Sequence, residues 1–132
     1  MIFPEGGNWT PRRWRRGVRR LKPAGEPDLA ARARAMPNVL APRAGGMLSA
    51  IAACPEADVI FVAHVGLDQL VGAGDVWRSL PLKQVVHATW WRVPADKVPR
   101  SEGRQSRELW LYAWWERIDT WISRNRRATA GE

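Results

Sequence analysis

The residues most able to do chemistry stand near the start of the chain. Ile2-Phe3 leads into Pro4-Glu5-Gly6-Gly7, which reads as the end of a buried strand breaking into a turn. The prolyl ring fixes φ, and paired glycines accept backbone angles that other residues resist. A carboxylate on such a bend is followed by Asn8, Thr10 and then Arg12, Arg13, Arg15, Arg16, Arg19 and Arg20. A polar site with an excess of guanidinium suits a phosphate-bearing partner. A second candidate lies at Arg43, ahead of Ala44-Gly45-Gly46-Met47. If a helix begins there, its free N–H groups and the Arg43 guanidinium point at one anion. The other reading is that Gly45 and Gly46 only allow close packing against a sheet, and both stay open.

Two blocks carry a resemblance to a known family. Phe3-Pro4-Glu5-Gly6 resembles the third conserved block of the glycerophospholipid acyltransferases, the 1-acyl-sn-glycerol-3-phosphate (lysophosphatidic acid) acyltransferase family, where it continues Thr-Arg. Asn38-Val39-Leu40-Ala41-Pro42-Arg43-Ala44-Gly45-Gly46-Met47 is similar to a Val-Leu-x-Pro-Arg-x-x-Gly-Phe segment that follows it in one branch. The likeness runs from the first residues to about Leu67. It implies an acyltransferase of phospholipid biosynthesis, with an acyl-CoA or acyl-carrier protein as co-substrate and no cofactor or metal. The acceptor it implies is a lysophospholipid or glycerol phosphate.

In that family the general base is the His of a His, four residues, Asp motif upstream of the glutamate block. Position five after His64 is Gln69 and after His87 is Arg92, and His64 to Asp68 encloses one residue too few. The resemblance therefore implies that residues 1–132 form the C-terminal part of a truncated acyltransferase domain, with no catalytic residue of its own. The glutamate block binds the acceptor's phosphate in the family, and Glu5 and Gly6 match it. The family's Thr-Arg is Gly7-Asn8 here, so Arg12 or Arg13 must reach in instead. The expected phosphate-binding set is Glu5, Gly6, Gly7, Arg12, Arg13 and Arg43.

Composition narrows the partners. Lys+Arg total 21 against 13 Asp+Glu, for a net charge of +8, which favours anionic partners. Nine tryptophans accompany the arginines, and the two together suit an anionic membrane surface. The resemblance implies a peripheral location on the cytoplasmic side of a membrane, and no run approaches the ~20 apolar residues of a spanning helix, so any contact is from the side or through a segment outside these residues. The single cysteine, Cys54, rules out an internal disulfide framework and reads as a small buried hydrophobe at a helix end.

These residues need a scaffold, and hydrophobic spacing predicts one of α/β class: a single domain with a mixed sheet, flanking helices and a long C-terminal amphipathic helix. Thr10 and Pro11 open a helix whose apolar stripe is Trp14, Val18 and Leu21. A second helix spans Asp28 to Met36, Asn38 to Pro42 is extended, and a small-residue helix follows from Ala44. Val59 to Ala63 reads as a strand buried on both faces. His64 at its end either lines the acceptor site or is an edge histidine. A short helix is expected around Asp75 to Arg78 and a strand over Lys83 to Val93. The last helix, Glu102 to Arg127, carries Leu111, Trp115, Ile118 and Ile122 on its stripe and Glu108, Glu116, Arg117, Asp119 and Arg124 on its polar side, with a fraying tail from Arg124.

Two other functions remain open at this point. One is a non-enzymatic basic membrane-surface module, indifferent to Glu5. The other is nucleic-acid binding through Arg12 to Arg20, disfavoured because the tryptophans fall in apolar patterns rather than among the arginines, and no recognised motif is present.

Overall fold

In the computed structural model, which describes residues 1–5, 8–21, 27–66 and 85–130, four helices and a pair of strands follow one another. They are α1 (Pro11–Leu21), α2 (Pro27–Arg34), α3 (Ala44–Ala53), β1 (Val59–Val65), β2 (His87–Val93) and α4 (Arg104–Ala130), with a 3-10 turn at Ala95–Lys97. The expected helix at Asp75 to Arg78 lies outside the described residues, as do Gly6, Gly7, Asp68 and the start of the Lys83 to Val93 strand.

Helix α1 begins where its cap dictates. The Arg13 N–H donates to Thr10 Oγ1 at 3.1 Å, and the Trp14 N–H donates to the Thr10 carbonyl at 2.9 Å. Such a cap contributes about 1 kcal/mol. The expected stripe docks: Val18 and Leu21 are buried, and the half-buried Trp14 donates its indole N–H to the Met36 carbonyl at 2.8 Å. That bond ties α1 to the chain leaving α2.

Among the described residues the sheet is an antiparallel pair, where a mixed sheet was expected. Its register places Val59, Phe61, Ala63 and Val65 opposite Val93, Trp91, Thr89 and His87. Helix α4 covers this inward face, where the ring of Trp114 stacks on Phe61 at 4.6 Å and Trp115 meets it edge-on at 6.1 Å. The outward face of β1 is not covered, contrary to the expected burial on both sides: Ile60 is 59% and Val62 65% exposed, beside Trp90 at 68%. Among the described residues α4 packs on the inward face of the pair, and the apolar run is buried only at alternate positions. β1 leaves through Gly66 at φ 99°, where a Cβ would lie 2.5 Å from the Val85 carbonyl oxygen, so this exit requires glycine.

Helix α4 buries the expected stripe of Leu111, Trp115, Ile118 and Ile122. It also buries Asp119, which the sequence reading placed on the polar side. Asp119 is four residues from Trp115 and therefore shares its face. Nor does the helix fray from Arg124: it continues to Ala130, and the Arg126 guanidinium donates to Asn38 Oδ1 at 2.9 Å.

Two further expectations fail. Ile2 and Phe3 form no strand and are exposed, Phe3 by 75%. Cys54 is exposed at the C-terminal end of α3. The volume beneath that end is occupied by Arg100, whose guanidinium donates to the carbonyls of Ile51, Cys54, Ala57 and Ala95. At Ile51, in the last turn of α3, Arg100 supplies a donor that the helix lacks, because the residue four on is Pro55.

Candidate functional site

The bend at Glu5 and the extended segment before α3 are separated by more than thirty residues of sequence, yet they are bonded to each other. The Arg43 N–H donates to the Pro4 carbonyl at 2.8 Å. The Glu5 carboxylate accepts from the Leu40 backbone N–H and, through Oε1, from the Trp115 indole N–H at 3.3 Å. Leu40 and Arg43 belong to the second motif block, so both blocks meet at one place on α4. Burial pushes the Glu5 carboxyl up to about 7, against the opposing pull of its bonds to Trp115 and Leu40. Near neutral pH, this group exchanges a proton readily.

Helix α4 also fixes the second block from behind. The Asn38 N–H donates to Asp119 Oδ1 at 2.7 Å, and the Asn38 side-chain amide donates to Ser123 Oγ at 2.7 Å. Burial raises the Asp119 carboxyl, partly offset by its bonds to Asn38 and Val39 and by the charge of Arg126. Two residues before Met36, α2 ends; from within it, Arg32 grips Glu116 of α4 through two bonds of 2.6 and 2.9 Å. One face of α4 therefore contacts Glu5, Arg32 and Asn38 in succession, and it sets where the Leu40 to Arg43 segment lies.

At the open side, Arg43 is the residue before α3, and its side chain is exposed without capping the helix. A Cβ at Gly45 or Gly46 would meet nothing within 4 Å. This removes close packing as the reason for the two glycines. Among the described residues nothing covers the N-terminus of α3 beside the Glu5 bend, a geometry that attracts anions. Of the arginines expected to help, Arg13 donates to the Asn8 carbonyl at 3.3 Å and so stays beside the chain leaving the bend. Arg12 is exposed on α1. Gly6 and Gly7 lie outside the described residues.

His64 is not part of this assembly. It pairs with Ala88 on the outward face of the sheet, whereas Glu5 contacts α4 on the inward side. The sequence reading missed Trp115 and Asp119 as site-building groups. A signal existed for both, since a buried indole N–H needs an acceptor and a carboxylate on an apolar stripe needs donors. Among the described residues, no three His, Cys, Asp or Glu side chains converge as a metal site would require. Set against known proteins, the chain matches no family model, no curated protein and no solved structure.

Proposed function

We propose that this chain supplies the acceptor-binding part of a glycerophospholipid acyltransferase. The observation that carries the reading is the meeting of the two motif blocks: Glu5 bonded to Leu40, and Pro4 bonded to Arg43, beside an open helix N-terminus. The acceptor's phosphate lies over the first turn of α3, held by its N–H groups, the Arg43 guanidinium and, from the other side of the bend, Arg13 or Arg12. Glu5 does not hold the phosphate, since two anions repel. It fixes the bend in place by engaging Leu40 and Trp115.

The reaction needs a general base, and the resemblance gives that role to the histidine of a His, four residues, Asp motif that residues 1–132 do not contain. The acceptor's hydroxyl oxygen attacks the thioester carbon of an acyl-CoA or acyl-carrier protein. A C–O bond forms, the C–S bond breaks, and the hydroxyl proton passes through the histidine to the departing thiolate. On this reading the acylated product belongs to a bilayer, as does a lysophospholipid acceptor, so we place the protein peripherally at the cytoplasmic side of a membrane. No described helix is long and apolar enough to cross one.

Calorimetry with glycerol 3-phosphate tests the site directly. Arg43→Ala should weaken binding about tenfold, the loss of one charge-assisted contact. Gly45→Trp should weaken it further by covering the helix N-terminus, at a position where a Cβ meets nothing within 4 Å. Equal affinity for wild type and both variants would remove the phosphate from this place.

A further inference from the structure

The arginines of α1 do more than the candidate site requires. At the turn of an α-helix, Arg12, Arg13, Arg15, Arg16, Arg19 and Arg20 fall within an arc of about 160°, opposite Trp14, Val18 and Leu21. The three apolar residues are consumed in docking, and all six arginines are exposed. The helix contains no Asp or Glu. Elsewhere the fold supplies an acid to some of its cations: Arg32 has Glu116, Arg92 has Asp58 and Arg104 has Glu108. Among the described residues, none of the six on α1 forms such an ion pair.

A solvated helix face ordinarily mixes both signs of charge, since like charges at this spacing repel. Holding six guanidinium groups on one side of a helix about 16 Å long is costly unless an anionic partner covers them. A point ligand would engage one or two of them; a planar array of phosphates engages most at once. Trp9, 37% exposed, stands just ahead of the cap, and an indole favours the boundary between headgroups and acyl chains. The arc holds arginine alone and none of the Asn, Gln, Ser or Thr side chains that would accompany guanidinium in reading base edges.

We propose that the arginine face of α1 is a docking surface for an anionic phospholipid bilayer, which it meets lengthwise. Docked in this way, α1 brings the Glu5–Arg43 bend to the level of the headgroups, because the chain runs from that bend into the Thr10 cap and Arg13 bonds back to Asn8. The functional importance of this placement rests on the acceptor-binding reading, whereas the docking itself does not.

The test is sedimentation of the chain with phosphatidylcholine vesicles, with or without phosphatidylglycerol and free of lysophospholipid. The wild type should bind only the anionic vesicles and release them as salt rises. Each arginine near such a surface changes partition about fivefold, so Arg15→Gln, Arg16→Gln and Arg19→Gln combined should lower it about a hundredfold. These three side chains face solvent, and an unchanged melting temperature would show that the fold is retained. Replacing Lys97, Arg104 and Arg117 by Gln removes the same charge from other exposed positions and should cost far less. Equal losses in the two triple variants, retained binding by the α1 variant, or binding of duplex DNA without binding of vesicles would each overturn the proposal. Glycerol 3-phosphate affinity separates the two ideas: the α1 triple variant should keep it, and Arg43→Ala should lose it while still binding vesicles.

Discussion

Helices α1 and α4 both dock through an apolar stripe, but they use their polar residues in opposite ways. On α4, the groups beside the stripe are engaged from within the protein: Trp115 by Glu5, Glu116 by Arg32, Asp119 and Ser123 by Asn38. On α1, the charged groups are a single sign and face outward without acidic partners among the described residues. Polar atoms buried against partners fix relative positions, because an unmade bond there costs the full desolvation of the group left behind. Apart from the Arg13 bond to the Asn8 carbonyl, these exposed charges of one sign engage nothing among the described residues, and their energy is available to something outside the fold. The first helix faces a partner; the last one holds the site together.

Asp119→Ala breaks the contrast most severely. It leaves the half-buried Asn38 N–H without its acceptor and should destabilise the chain by about 1–3 kcal/mol, read as a lower urea midpoint. A substitution at Arg16 should stay within about 0.5 kcal/mol. If Asp119→Ala proved as mild as Arg16→Ala, α4 would not be the positioning element described here.

Glu5→Gln probes the same helix through pH. Burial raises the Glu5 carboxyl from 4.5 to about 7, so the folded state favours the protonated form. The stability this group contributes is fully present below pH ~4.5 and is lost as pH rises through about 7. Wild type should therefore lose stability between those values, and Glu5→Gln, which still accepts from Leu40 and Trp115, should lose less. After allowance for partial exposure, the advantage of the glutamine variant at pH ~8 should be about 1–2 kcal/mol. Parallel melting curves against pH for the two proteins would contradict the raised carboxyl.

The smallest effect sharpens the description of α1. A Cβ on Gly17 would meet the Ala41 Cβ at 3.6 Å, an ordinary contact, and the backbone there is not in the left-handed region. Gly17→Ala should stabilise the chain by about 1 kcal/mol. Vesicle binding should not change, because the arginine face is untouched.

Local signals in the sequence located most elements. Thr10-Pro11, Asp28 and Arg43-Ala44 each start a helix close to where capping rules place it, and the stripe of α4 follows from its spacing. Sheet architecture was less legible. Val59 to Val65 is apolar at nearly every position, which matches a strand covered on both sides, yet only alternate residues are buried. Burial depends on what else packs there, and no local pattern encodes that. For the site, Glu5 and Arg43 were identifiable as candidates by residue type, but their meeting depends on bonds from Leu40, Trp115 and Arg43's own backbone. Main-chain N–H groups leave no trace in a sequence. Asp119 was the avoidable error, since its spacing from Trp115 already placed it inward.

Cys54 offers an unplanned convenience. It is the chain's one thiol, it is exposed, and it ends α3 about 15 Å of helix away from Arg43. A spin label or fluorophore attached there modifies every molecule once, at a known location, without engineering. Quenching by probes held at graded depths in a bilayer would then report how the domain is tilted when it lands.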